Sequence, residues 1–308
     1  MKIIAPSYYL DFKCKAAECR HSCCIGWEID VDDDTLAVYQ KISSSIGEKI
    51  RQSIDYSDAP HFRLTEDERC PHLARSGLCN IITECGEAAL CQICRDHPRY
   101  RNYYNGVVEF GLGLSCEEAA GLATDREATL GFLVSDSENM TDAVLYREYP
   151  AELFSKEERP LAEEKKRLLS IVSDREQSIE KRFATLFQYT LKAEEIKSLY
   201  LSLESLDAGW KNKLELLSAE NFGLKSDDFA LYAEKILTEF IYRHTTSDGF
   251  REPRIIAAFA ALSACIVIAL AKTPDEVPDV LRAYSAEIEY SLENTERILD
   301  FIEEMHLH

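Results

Sequence analysis

Ten of the chain's eleven cysteines fall between Cys14 and Cys116, and this crowding limits what the chain can fold into more than any other feature. In order they read Cys14-x4-Cys19-x3-Cys23-Cys24, then Cys70, Cys79, Cys85, Cys91-x2-Cys94 and Cys116. Cysteines that only fill a core are scattered along a chain, so their concentration in about a third of it points to metal ligation. Disulfides are not needed, because a chain of 308 residues buries enough apolar surface to fold without them. The stretch from Met1 to Cys14, broken by Pro6 and Asp11, lacks the basic and then apolar pattern of a secretion signal. A reducing cytoplasm is the expected compartment.

Spacing bears on which metal. Structural zinc is usually held by two paired hooks, and only Cys91-x2-Cys94 has that form. An iron–sulfur cluster tolerates irregular spacing because each thiolate binds a different iron, which suits Cys19, Cys23 and Cys24 with the distant Cys94 and Cys116. A cluster is therefore expected, with zinc as the alternative. The Cys-x3-Cys-x2-Cys loop of radical enzymes is not present, since Gly26 stands where its third cysteine belongs. Arg95 and Arg99 are the candidate cofactor-binding residues: beside an anionic all-thiolate cluster they would offset charge and donate hydrogen bonds to sulfur. His97 has three readings, as ligand, base or loop hydrogen-bond donor, and Trp27 reads as packing that keeps water from the cluster.

Beyond about Ala119 the pattern turns helical. Leu168, Val172, Ile179, Phe183, Leu186 and Phe187 recur at helical spacing, as do Phe229, Tyr232, Ile236 and Phe240. Tyr284, Ile288, Leu292, Thr295, Leu299 and Ile302 predict one further helix of five turns, set off by breaks at Pro274 and Pro278. Ile255 to Ala271 is apolar except for Ser263, but at 17 residues it is short for a membrane span and reads as a buried helix. Loops are expected at 135–142, 245–253 and 272–279. Asn105-Gly106 between strand formers predicts a small β-hairpin, after which Ser115 and Glu118 predict a helix start that places Cys116 at its N-terminus. Glu109-Phe110-Gly111-Leu112-Gly113 looks like a Rossmann loop, yet its third glycine is Ser115 and no alternating strands and helices follow. The expected fold is mainly α: a cysteine-rich metal-binding domain with a small hairpin over residues 1–122, followed by a helical bundle over 123–308. A formal charge of -20 disfavours nucleic acid and anionic membranes, so no nucleic-acid or membrane partner is expected.

Phe12-x-Cys14, Cys19, Cys23-Cys24-x-Gly26-Trp27, Cys70-Pro71-x-Leu73, Leu78-Cys79, Cys94-Arg95-x-x-Pro98-Arg99 and Ser115-Cys116 together resemble the flagellin lysine-N-methylase family, and share much with small cysteine-rich zinc- or iron-chelating domains. The resemblance runs from Tyr8 to about Leu122. It implies a cytoplasmic enzyme that methylates ε-amines of flagellin lysines, with S-adenosylmethionine as donor and a [4Fe–4S] cluster held by cysteines of this pattern. Cys14, Cys70 and Cys79 thereby join Cys19, Cys23, Cys24, Cys94 and Cys116 as candidate ligands; Cys85 and Cys91 match least well. An iron with an open position would hold the donor's amino and carboxylate groups. The acceptor amine must lose a proton before it attacks the methyl carbon, and Tyr8, Tyr9, Tyr103, Tyr104 and His97 are the candidates near cysteines. Two other readings stand beside it: a metal-organised module that docks a protein partner, and a thiol redox protein built on Cys91-x2-Cys94, which lacks the βαβ context of such proteins.

Overall fold

The computed structural model describes residues 1–128, 130–187, 192–223, 227–247, 249 and 251–306. Helix makes up 52% and strand 11% of the chain, so the mainly α expectation holds. Among the described residues the strands are β1 (Lys2–Pro6), β2 (Ile29–Asp30), β3 (Ile54–Asp55), β4 (His61–Phe62), β5 (Arg99–Tyr103), β6 (Val107–Leu112), β7 (Phe132–Ser135) and β8 (Val144–Tyr146). They fall into two compact units, Lys13–Arg99 on one side and Met1–Phe12 with Tyr100–His308 on the other. This division differs from the expected boundary at residue 122. The reason is β1, which lies inside the sheet of the larger unit and carries the N-terminus into it.

In that larger unit the sheet runs β5-β6-β1-β7-β8. β1 pairs in parallel with β6, Ile3 opposite Val108, and antiparallel with β7, Ile4 opposite Val134. The expected hairpin is present as β5 and β6, and Gly106 at its turn has φ +84, a conformation that favours glycine. All six residues of β6 are buried, as a strand covered on both faces requires. One parallel pair in a mixed sheet is not a doubly wound fold, so the Rossmann-like loop is a sheet strand whose acidic residue is structural. Glu109, fully buried, pairs with the equally buried Lys165 at 2.7 Å. Tyr104 donates to Glu109 Oε2 at 3.0 Å, Tyr149 donates to Glu109 Oε1, and Lys165 also donates to the Tyr242 carbonyl at 3.1 Å. Every partner is needed, because stripping one member from a buried ion pair costs about 3–5 kcal/mol.

Helices cover this sheet. Asp227–His244 carries Phe229, Tyr232, Ile236 and Phe240 inward, as their spacing predicts, and Tyr242 reaches the sheet, donating to the carbonyls of Ile4 and Phe110. Pro253–Leu270 is long and apolar enough to cross a membrane, but Ile255 through Leu270 are all buried within the unit, as expected. The five-turn helix is where the sequence pattern misleads. Val277–Tyr284 is one helix and Leu292–His306 another, joined through a π-helical turn at Ser285–Glu289. After the π turn the chain leaves the helix at Tyr290–Ser291, and Leu292, which the pattern puts on the inner face, opens the next helix 77% exposed. Pro278 does not break the chain; it occupies the first turn of Val277–Tyr284, where no backbone N–H is needed. The expected loop at 272–279 accordingly holds a 3-10 turn, Pro274–Glu276, and that helix start. The loop at 136–143 follows β7 as expected, whereas positions 248 and 250 of the loop at 245–253 lie outside the described residues.

The unit Lys13–Arg99 is built on the short sheet β2-β4-β3 and the helices Asp33–Lys41, Ser45–Ser53, Asn80–Cys85 and Gln92–Asp96. Its core contains Ile29, Tyr39, Ile50, Phe62 and Ile81. Asp32 organises two helix starts: one carboxylate oxygen accepts from Thr35 N–H at 3.0 Å, the other from Gln92 N–H at 2.8 Å. That fixes the segment carrying Cys91 and Cys94.

Candidate functional site

Chemistry-bearing side chains gather in each unit. In Lys13–Arg99, Cys24, Cys70, Cys79, Cys91 and Cys94 pack on one core, with Cys70 and Cys91 buried. Backbone contacts draw them in: Cys70 N–H donates to the Cys24 carbonyl at 2.8 Å, and Leu73 bridges to Cys79. Burial pushes the Cys70 thiol up to about 12, and Cys24, Cys79 and Cys91 add to the effect by repelling its thiolate. Cys94 is raised by its hydrogen bond to Cys91 and by burial, while the same bond lowers Cys91, so the two thiols titrate as a pair. The buried Tyr39 hydroxyl sits 3.4 Å from Cys91 Sγ. Cys24 is lowered to about 7, chiefly by its hydrogen bond with Cys23.

Mutual repulsion among these sulfurs would be relieved by a cation, and these soft thiol donors, with Cys85 packed against the same core, suit zinc or an iron–sulfur cluster. By donor chemistry the residues fit such a group, although among the described residues no three Cys, His, Asp or Glu side chains stand in a metal-holding arrangement. Cys91, a weak match to the family pattern, is central to the gathering, and the Cys91-x2-Cys94 spacing was the signal for it. Cys23 hydrogen-bonds Cys24 and is exposed, and Cys19 is half-buried. Cys14 is exposed, its sulfur accepting from Ala16 N–H at 3.3 Å. Cys116 belongs to the larger unit, where it is itself the N-cap of Glu117–Thr124. Ser115 sits in the preceding turn, closed by Cys116 N–H to the Gly113 carbonyl, so the expected capping box is out of register by one residue. Cys265 is buried in the apolar helix, its thiol pushed up to about 12 by burial, and reads as core. Arg95 is exposed on the last turn of Gln92–Asp96 and Arg99 is half-buried at the start of β5. Trp27 packs on the same core and donates to the Cys23 carbonyl at 2.6 Å; burial lowers His97, whose Nε2 has no hydrogen-bond partner among the described residues.

The larger unit holds a cluster that sequence reading missed except for Tyr8. Lys235, Glu239 and Tyr242, at positions i, i+4 and i+7 of Asp227–His244, share one face. With Tyr8, Phe132, Leu130 and Gly131 they line a cavity of about 20 Å³, room for one water-sized group. A cavity of about 440 Å³ shares the walls Leu130, Gly131, Phe132 and Thr238, and is lined further by Arg147, Glu163, Lys166 and Ser170. Burial pushes the Glu239 carboxyl up to about 7. Tyr8 is 6% exposed and lies near enough to Glu239 for each to shift the other, yet its hydroxyl makes no hydrogen bond of good geometry. The Tyr100 hydroxyl is likewise buried and unpartnered among the described residues, and its ring lies 5.0 Å from the Arg243 guanidinium. Arg243 faces Glu289 at 3.3 Å and His244 Nε2 meets the same carboxylate at 2.7 Å. Of the remaining tyrosine candidates, Tyr9 packs on Phe110, Tyr103 is exposed and Tyr104 is committed to Glu109.

Comparison with known proteins leads to lysine-N-methylases and a flagellar biosynthetic protein. The chain is 28% identical over 123 residues to the lysine-N-methylases of Salmonella choleraesuis and Salmonella typhimurium, a match covering 38% of this chain and 31% of theirs. It is 27% identical over 123 residues to the flagellar biosynthetic protein FliU of Salmonella muenchen, covering 73% of that protein. These matches bear out the likeness to the flagellin lysine-N-methylase family drawn from the cysteine motifs. The matched stretch spans about a third of the length of the lysine-N-methylases. No family model and no solved structure matches the chain.

Proposed function

We propose that this chain is a protein lysine N-methylase that acts on flagellin in the cytoplasm, with S-adenosylmethionine as methyl donor. The observation that carries this is its likeness to two lysine-N-methylases and a flagellar biosynthetic protein, at modest identity. Flagellin as substrate follows from the flagellar naming of the relatives, and a strongly acidic chain suits a lysine-bearing partner.

Three of Cys24, Cys70, Cys79, Cys91 and Cys94 would each bind one iron of a [4Fe–4S] cluster and leave the fourth iron open, with Cys14, Cys19 and Cys23 as alternative ligands from the same unit. Bound there, the cluster supplies an iron able to take the donor's amino and carboxylate groups. Tyr39 would donate to the Cys91 thiolate and Trp27 would keep water away. The Cys91-x2-Cys94 hook keeps a second reading in view, a zinc-organised module that binds a protein partner without catalysis. Anaerobic purification followed by iron, sulfide and zinc analysis separates the two. We expect about four irons and four sulfides per chain, broad absorption at about 400 nm, and S-adenosylmethionine binding that weakens once the cluster is removed. A colourless protein with one zinc and no affinity for the donor contradicts the methylase reading.

A further inference from the structure

Methyl transfer to lysine needs a group that takes the ammonium proton, and the cavity at Glu239 meets that need on geometry. It lies within the larger unit and admits one water-sized group, the size of an ammonium head. The Tyr8 hydroxyl is a buried polar atom on its wall, close to Glu239 and without a hydrogen bond of good geometry. Tyr242 and Phe132 add aromatic rings to its lining. Gly131, Leu130, Phe132 and Thr238 line both this cavity and the one of about 440 Å³ beside it.

Resting on the methylase reading, we infer that Glu239 is the catalytic base: it receives the acceptor lysine's ammonium in this cavity and takes its proton, while Tyr8 hydrogen-bonds the nitrogen. The step balances. The Glu239 carboxylate becomes the carboxylic acid as the ammonium becomes an amine; the amine lone pair then forms the N–CH3 bond as the C–S bond of the sulfonium donor breaks, its electron pair staying on sulfur to give a neutral thioether. The groups facing Glu239 are Tyr8 from the segment after β1, Lys235 and Arg243 from its own helix, Tyr100 from β5, Tyr242 and Glu289. Lys235 is engaged with the Ala128 carbonyl at 3.2 Å and Arg243 with Glu289. The Tyr8 hydroxyl and the Lys235 ammonium both act on the Glu239 carboxyl, and no ion pair within 4 Å involves it among the described residues. Burial holds it near the pH at which a base is best poised.

The test uses the full chain with S-adenosylmethionine and flagellin, comparing wild type with Glu239→Gln across about pH 5 to 9, beside calorimetric titration with n-butylamine, a lysine side chain without its backbone. We expect Glu239→Gln to lower kcat by about a hundredfold or more, with donor affinity kept and the acid limb near pH 7 lost, and to bind n-butylamine at least about tenfold more weakly. Should Glu239→Gln keep the wild-type rate and acid limb, the inference is overturned while the methylase reading stands. Should wild type transfer no methyl groups, that reading fails; n-butylamine binding that is absent, or equal in the two proteins, then overturns the amine site as well. If Glu239→Gln does not fold, Tyr8→Phe reads the same cavity: about a tenfold loss of rate supports it and an unchanged rate overturns it.

Discussion

Glu239 and Glu289 are two buried carboxyls in one neighbourhood whose surroundings push them apart. Burial opposes ionisation of both, but Arg243 and His244 outweigh it at Glu289 and hold that carboxyl down to about 2, whereas burial prevails at Glu239 and lifts it to about 7. Divergence of this kind is how one environment keeps a permanent anion beside a proton acceptor. It also links Glu239 to stability. Between an ordinary 4.5 and about 7 the folded protein keeps a proton that the unfolded chain has lost. The stability this contributes is fully present below about pH 4.5 and is lost as pH rises through about 7, on the order of 3 kcal/mol in all. Glu239→Gln should therefore gain on wild type by about 2–3 kcal/mol in going from about pH 4.5 to about pH 8, measured by urea unfolding at both. An equal difference between the two proteins at both pH values would show that Glu239 ionises freely in the folded state.

Elements hold these residues in place. Gly111 lies near the end of β6, and a Cβ there would overlap the Tyr100 ring, so the bare backbone seats Tyr100 where its hydroxyl enters the cluster. Gly111→Ala should cost about 1–3 kcal/mol in wild type and less than about 1 kcal/mol beside Tyr100→Ala. Penalties that simply add would mean the ring is not what Gly111 accommodates. Much at this scale was legible in the sequence. Asn105-Gly106 announced the hairpin, Phe229 to Phe240 the helix that carries Glu239, and the apolar run the buried Pro253–Leu270. The π turn and the break at Tyr290–Ser291 were not, because a period of 3.6 reports neither an inserted residue nor an interruption, and Leu292 was assigned to the wrong face for that reason. Nor was the sheet of the larger unit: β1 is assembled from partners more than a hundred residues away, and a short run such as Lys2–Pro6 carries no sign of them.

For the whole molecule, the cysteine motifs carried the family likeness, and spacing carried the expectation of ligated metal. Which thiols gather was legible in part. Cys24, Cys70, Cys79 and Cys94 are among the expected ligands, while Cys91 was set aside for its weak match, although a local hook with Cys94 is what proximity favours. Glu239 escaped notice because one acid among 55 has no sequence signature; burial and a cavity wall set it apart. The central claim, methyl transfer to flagellin lysines, is tested most directly by mass spectrometry of flagellin co-expressed with and without this chain. The account predicts lysine-localised mass increments of about 14 Da only where the chain is present, and flagellin of identical mass in both samples, with the chain folded and its cysteine centre loaded, would contradict it.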